Sequence, residues 1–280
     1  MAQSFTHPEL VVTPEWLHAH LDDPAVRIID GRNHEKYQAG HIPGAVLVDF
    51  IHLNVTDTRP AAMRDWIACM EEAFSAAGIG EDQTVVLYED HSGMLPARGL
   101  WALTYLGHDG GRLLDGGLDA WRAAGYPVST EPSQVARTAF RARPRPEEVA
   151  TCEDVLARLG DGSTQIVDTR RPGEYDGSEI RAARGGRIPG AVLLEWVHNL
   201  AAGRLKSPAD LHAQYAQLGL DRDREVITYC QGGYRAAHTW LVLRMLGYPR
   251  VRNYVGSWAE WGNREGLPIE NLTLPEKSKT

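Results

Sequence analysis

An internal repeat constrains this chain more tightly than any local propensity does. Val26-Arg27-Ile28-Ile29-Asp30-Gly31-Arg32 returns as Gln165-Ile166-Val167-Asp168-Thr169-Arg170, and His41-Ile42-Pro43-Gly44-Ala45-Val46 returns as Arg187-Ile188-Pro189-Gly190-Ala191-Val192. Thr84-Val85-Val86-Leu87-Tyr88-Glu89 matches Glu225-Val226-Ile227-Thr228-Tyr229-Cys230. Leu106-Gly107 pairs with Leu246-Gly247, and Trp121 with Trp261. Thr13-Pro14-Glu15-Trp16 and Thr151-Cys152-Glu153-Asp154 each offer a threonine N-cap, and each threonine lies 17 residues before its aspartate, Asp30 or Asp168. The registers agree, so one structural unit occurs twice.

Within each unit, short β-branched runs alternate with helical patterns. That order predicts an α/β fold, each unit a mainly parallel sheet flanked by helices. In such sheets ligands bind beyond the carboxyl ends of the strands. We expect a first domain over residues 1–130, a linker over 131–147 and a second domain over 148–280. The linker contains Pro132, Pro144 and Pro146 with Arg137, Arg141, Arg143 and Arg145. The polar tail after about Leu272 is expected to fray.

At 280 residues, 43% hydrophobic and 24% charged, the chain has the composition of a soluble globular protein of two domains. No apolar run reaches the length of a membrane span, and Met1 to Pro8 has neither the basic nor the apolar region of a signal peptide, so a cytoplasmic location is expected. Three widely separated cysteines make neither a disulfide framework nor a zinc site. The net charge of −8 is uneven. Residues 1–130 carry 18 acidic and 8 basic side chains, whereas residues 131–280 carry 19 and 21. The second half therefore suits an anionic ligand, but without a basic run interleaved with aromatics it does not suit nucleic acid.

Differences between the copies point to chemistry. Cys230 ends a predicted strand and leads into Gln231-Gly232-Gly233-Tyr234-Arg235 and then a helical stretch. Loop amides and the positive end of the helix stabilise an anion at the centre of such a turn, and the same field favours thiolate over thiol. The bland alternative is a small buried hydrophobe at a strand end. Glu89, with Asp90 beside it, stands where the second copy has Cys230, so the first copy lacks the thiol and is read as a wall of the site. Asp30 to Gly44 spans 14 residues, and Asp168 to Gly190 spans 22. The extra residues bring Arg181, Arg184 and Arg187, which with Arg235 can surround a thiolate loop with positive charge, although surface solvation would equally explain them.

Other features read as structural. Asp30 with Arg32 and Asp168 with Arg170 recur, which marks fold-holding pairs. His238 is matched by Arg98, which favours packing or capping over a general base. Cys69 is expected in a helix core and Cys152 in a structural role, while Trp258 is a candidate to line the site.

Taken together, these residues resemble the two-domain rhodaneses, or sulfurtransferases. The likeness runs from about Thr13 to Ile269. It rests on the paired Ile-Pro-Gly-Ala segments, on Tyr229-Cys230-Gln231-Gly232-Gly233-Tyr234-Arg235-Ala236-Ala237-His238-Thr239-Trp240, and on Gly256-Ser257-Trp258-Ala259-Glu260-Trp261. The resemblance implies two tandem rhodanese-like domains with the active site in the interdomain cleft, and no metal or organic cofactor. It implies Cys230 as the sulfur-carrying nucleophile and Arg235 as its catalytic partner. Arg181, Arg184, Arg187, Gln231, Gly232, Gly233 and Tyr234 are then the substrate-binding candidates. The donor would be a small sulfur anion, thiosulfate by preference, and the acceptor cyanide or a cellular thiol, with the protein a monomer or weak dimer. The loop departs from two patterns of the family. Gln231-Gly232-Gly233-Tyr234 carries neither the basic interior of the eukaryotic thiosulfate enzymes nor the Gly-Ser-Gly-Val interior of the mercaptopyruvate enzymes. The alternatives are therefore a 3-mercaptopyruvate sulfurtransferase, a cysteine-dependent phosphatase or arsenate reductase, and a non-catalytic sulfur-carrier scaffold. A phosphatase loop of the Cys-X5-Arg type has one residue more than this one.

Overall fold

The computed structural model describes residues 4–271. The first repeat contains β1 (Val11–Val12), α1 (Pro14–Ala19), β2 (Val26–Asp30), α2 (His34–Ala39) and β3 (Val46–Leu47). It continues through α3 (Pro60–Ala76), β4 (Thr84–Tyr88), α4 (Met94–Tyr105), β5 (Gly111–Leu114) and α5 (Gly117–Ala123). The second begins with β6 (Val149–Ala150), α6 (Cys152–Ala157), β7 (Thr164–Asp168), α7 (Pro172–Asp176) and β8 (Val192–Leu193). A small hairpin, β9 (Leu200–Ala201) and β10 (Arg204–Leu205), precedes α8 (Pro208–Gln217). The repeat closes with β11 (Glu225–Tyr229), α9 (Tyr234–Met245), β12 (Val251–Tyr254) and α10 (Ser257–Trp261).

Both sheets are five-stranded, with orders β1-β5-β4-β2-β3 and β6-β12-β11-β7-β8, and every neighbouring pair is parallel. Equivalent strands occupy equivalent places, as the repeat predicts. The central strands β4 and β11 show why: Val85–Tyr88 and Val226–Tyr229 are buried without alternation, as strands covered on both faces must be. Helix starts follow the sequence too. Thr13 Oγ1 accepts the Trp16 amide, and Thr151 forms a capping box with Asp154.

The repeated aspartates hold the frame. Arg170 forks onto Asp168, Nε to Oδ1 at 2.9 Å and Nη2 to Oδ2 at 2.6 Å, and donates to Gly186 O at 2.7 Å. Arg32 does the same with Asp30 and Gly40 O. In both copies the tyrosine closing the central strand, Tyr88 or Tyr229, donates its hydroxyl to that aspartate.

The main apolar core is shared between the repeats. It joins Leu100, Trp101 and Leu103 of α4 to Trp240, Leu241 and Val242 of α9, while smaller clusters lie on the outer side of each sheet. From Leu95 to Tyr105, α4 is buried all round because it is covered by its own sheet and by the other repeat. Each such apolar side chain contributes about 2 kcal/mol when taken fully out of water. The segment after α5 straps back across the first repeat, with Thr138 N–H donating to Ser75 O at 3.0 Å and Arg137 paired with Glu72.

Two expectations are corrected here. Cys69 lies on α3 but faces outward and is exposed, because the buried stripe of that helix runs through Met63, Trp66, Met70 and Phe74. Trp258 is core, 1% exposed, with the Arg170 guanidinium 4.5 Å over its ring and its Nε1 donating to Arg184 O. The tail expected to fray lies outside the described residues. Among the described residues, no helix is long and apolar enough to cross a membrane, and no group of three His, Cys, Asp or Glu is placed to hold a metal ion.

Candidate active site

Cys230 is the first residue past β11, at the carboxyl end of the central strand. Its own N–H donates to Ser257 Oγ at 3.1 Å, and its carbonyl accepts the Trp258 amide at 2.9 Å. The Gln231 carbonyl accepts the Ala259 amide at 2.8 Å. The start of α10 therefore clamps the loop from below, and Ser257 adopts φ +52 to do so, a left-handed conformation unusual for a non-glycine residue. Gly233 then turns the chain into α9 at φ +82. A side chain could not be carried there, since a Cβ would stand 2.7 Å from Val255 O and 3.0 Å from Arg98 Nη1. The turn aims the Gly233 N–H at the thiol, 3.1 Å from Cys230 Sγ.

Although only 1% exposed, Cys230 lines a cavity of about 430 Å³ together with Gln231, Gly232, Tyr234, Arg235, Arg171, Arg181, Glu195, Trp196, Asn54 and Met94. Asn54 and Met94 come from the first repeat, so both repeats form the wall. Glu89 and Asp90 are not in that wall. Glu89 Oε1 accepts the Leu95 amide within its own loop, and Asp90 is tied to Arg32 and Lys36. Burial pushes the Glu89 carboxyl up.

Arg235 lines the cavity together with Cys230 and is paired with a carboxylate. Its Nη1 and Nη2 donate to Glu174 Oε2 and Oε1 at 2.6 and 2.9 Å, a bidentate fork. Glu174 is completely buried at the first turn of α7. Burial opposes its charge, yet the Arg235 fork, with the Arg171 amide and the Arg170 charge, holds its carboxyl down at about 2. Glu174 thus fixes the position of Arg235 and neutralises part of its charge. Tyr234 is fixed from the other side, donating its hydroxyl to Phe50 O at 2.9 Å.

The three insertion arginines separate. Arg181 lines the cavity, and its carbonyl accepts Gln231 Nε2 at 3.0 Å, which ties the insertion to the cysteine loop. Arg184 points away and donates to the carbonyls of Trp261 at 2.9 Å, Leu267 at 2.8 Å and Arg264. Arg187 pairs with Glu270 at 2.9 Å and covers the Tyr175 ring. Arg184 and Arg187 are among the residues expected to bind substrate, and the structure engages both in these contacts. Both guanidiniums hold the 261–270 segment against the insertion, and neither lines the cavity.

Cys152 has the structural place expected of it. It is 1% exposed, and burial pushes its thiol up to about 11, so it is no competing nucleophile near neutral pH.

Residue patterns left out Glu174, Arg171, Asn54, Met94 and the pair Glu195-Trp196. One of these had a signal. Asp49-Phe50 follows β3 as Glu195-Trp196 follows β8, so the repeat extends past the strand into the wall of the site. Asn54 and Met94 had none, because their proximity to Cys230 exists only once the repeats are packed together.

A family model described as Rhodanese-like domain matches residues 13–124 and again 151–264. Thiosulfate sulfurtransferase of Corynebacterium glutamicum is 38% identical over 286 residues, spanning 96% of this chain and 92% of that protein. Sulfur carrier protein TtuD of Thermus thermophilus is 37% identical over 284 residues, spanning 95% and 98%. Among solved structures, SseA from Escherichia coli, titled among the 3-mercaptopyruvate sulfotransferases, is similar with TM-score 0.77 and 30% identity over 89% of this chain and 98% of that one. The wild-type structure of EanB, at TM-score 0.82 and 23% identity, shares the fold.

Proposed function

The chain belongs to the rhodanese-like domain family, and on that premise we propose that it is a sulfurtransferase that moves the outer sulfur of thiosulfate through a persulfide on Cys230. The observation that carries this reading is the Gly233 amide aimed at Sγ in a cavity lined by Arg171, Arg181 and Arg235. A thiolate there is stabilised by the amide and by the positive end of α9. It attacks the outer sulfur of thiosulfate, forming a new S–S bond. The old S–S bond breaks with its electron pair leaving on sulfite, and Cys230 is left as an anionic persulfide. Cyanide or a thiolate then attacks the terminal sulfur and returns the Cys230 thiolate. The same loop charge serves both half-reactions, which gives ping-pong kinetics.

Arg181 and Arg235 hold the donor's anionic end, with Glu174 keeping Arg235 in place. The relative named thiosulfate sulfurtransferase supports this donor. A second reading, 3-mercaptopyruvate, is favoured by the likeness to SseA and by Trp196 and Met94, which add apolar wall beside the arginines for a carbon skeleton. The relative named a sulfur carrier protein supports a chain that hands its bound sulfur on to an acceptor.

The test compares thiocyanate formation from thiosulfate and from 3-mercaptopyruvate, with cyanide as acceptor, for the natural chain and Cys230→Ser. Faster turnover of thiosulfate, lost in Cys230→Ser, is expected. Faster mercaptopyruvate turnover would replace the donor. Hydrolysis of a phosphate ester with no thiocyanate from either donor would overturn the reading.

A further inference from the structure

Arg98, on α4 of the repeat that lacks the cysteine, is 2% exposed, and neither Nη1 nor Nη2 has a hydrogen-bond partner among the described residues. Its guanidinium sits among rings, 4.5 Å from the centre of Trp101 and 5.4 Å from those of Trp66 and Tyr234. No carboxylate pairs with it among the described ion pairs, so its charge is not cancelled locally. Nη1 packs against Gly233, the residue whose amide touches Cys230 Sγ. Burying an unpaired cation is costly, and a packed apolar side chain there would serve the fold better. A charge kept in that place points to a role outside folding.

We propose that Arg98 is a buried counter-charge for the Cys230 sulfur, supplied by the first repeat through the α4–α9 contact and acting across Gly233 and Tyr234 on the thiolate and the persulfide. The proposal rests on the persulfide reading above. Burial lowers the Arg98 guanidinium to about 10, with the charges of Tyr234 and Cys230 opposing the fall, so it is cationic near neutral pH. Low dielectric lets one uncancelled charge act over several ångströms. The other charged groups facing Cys230 are Arg235 with its partner Glu174, and Arg171, Arg181 and Glu195 around the cavity, with the Tyr234 phenol beside the loop. Glu174 neutralises part of the Arg235 charge, and Arg171 and Arg181 are screened by solvent at half exposure. Arg98 is the one cation of this set without a carboxylate partner. It touches neither substrate nor sulfur, so it is a positioning residue of electrostatic kind.

The experiment measures the rate of Cys230 alkylation by iodoacetamide against pH for the natural chain, Arg98→Met and Arg98→Lys, alongside thermal melting and thiosulfate turnover. Arg98→Met is expected to melt no lower than the natural chain, yet to move the alkylation midpoint up by about one pH unit and to cut alkylation and kcat near neutral pH by roughly tenfold. Arg98→Lys should recover most of that loss. An unmoved midpoint in a folded Arg98→Met, or a variant that cannot fold because the guanidinium was a structural strut, overturns the proposal. Intact mass after thiosulfate keeps the two readings apart. A chain that never gains sulfur sinks the persulfide reading, whereas one that gains it with an unmoved midpoint sinks only the role of Arg98.

Discussion

Three arginines sit in the insertion of the second repeat, and side-chain partners decide between them. Arg181 lines the cavity with Cys230, while Arg184 spends its guanidinium on four backbone carbonyls and Arg187 on Glu270. Arg181→Ala is therefore expected to raise KM for thiosulfate by roughly tenfold, the loss of one charged hydrogen bond of about 1.5 kcal/mol, with little change in melting temperature. Arg184→Ala should do the opposite, leaving KM alone and lowering stability by about 2 kcal/mol as buried carbonyls lose their donor. Steady-state kinetics and denaturant unfolding of the two variants read this directly. Composition and spacing could not separate them, because the partners of Arg184 and Arg187 lie at 261–270, far along the chain. Cys230 was legible for the opposite reason. Its strand, its loop and its helix are contiguous, and the first repeat supplies an internal control in which Glu89 replaces the thiol.

At the scale of elements, the site is one strand end, one loop and two helix starts. The repeat made β11, α9 and their order predictable. It did not reveal that α10 clamps the loop through Ser257, since a strained residue and its hydrogen bonds leave no periodic trace. The facing helices α4 and α9 carry Arg98 and His238 at matched positions. His238 is completely buried, with Nε2 3.1 Å from Ser92 O and Nδ1 3.5 Å from Asn199 Nδ2, so the ring donates from Nε2 and reaches into the first repeat. Burial pushes this imidazole down to about 4, with the His91 charge adding to the fall and the bond to Ser92 opposing it. The unfolded chain takes up that proton below about pH 6.5 and the folded chain resists it until about 4. Stability is therefore full above pH 6.5 and is lost as pH falls through this window, by about 2 kcal/mol at pH 5. Denaturant midpoints at pH 7 and pH 5 should differ by less in His238→Gln than in the natural chain.

The whole molecule is two copies of one frame that have divided the work. Both keep the Asp–Arg–Tyr bracing, the five-stranded parallel order and the central helix, and they pool their largest core between α4 and α9. Only the second keeps the thiol, and the first contributes wall and charge through Asn54, Met94 and Arg98. Sequence spacing exposed the duplication and the missing cysteine. It could not show the contributions across the interface, since these depend on how the helices cross. The central claim, that Cys230 carries the transferred sulfur, is tested most directly by intact-mass measurement of the chain before and after thiosulfate. The account predicts a gain of one sulfur atom that is removed by cyanide and never forms in Cys230→Ser. The contradicting result is a chain whose mass is unchanged by thiosulfate, or one that gains the sulfur just as well without Cys230.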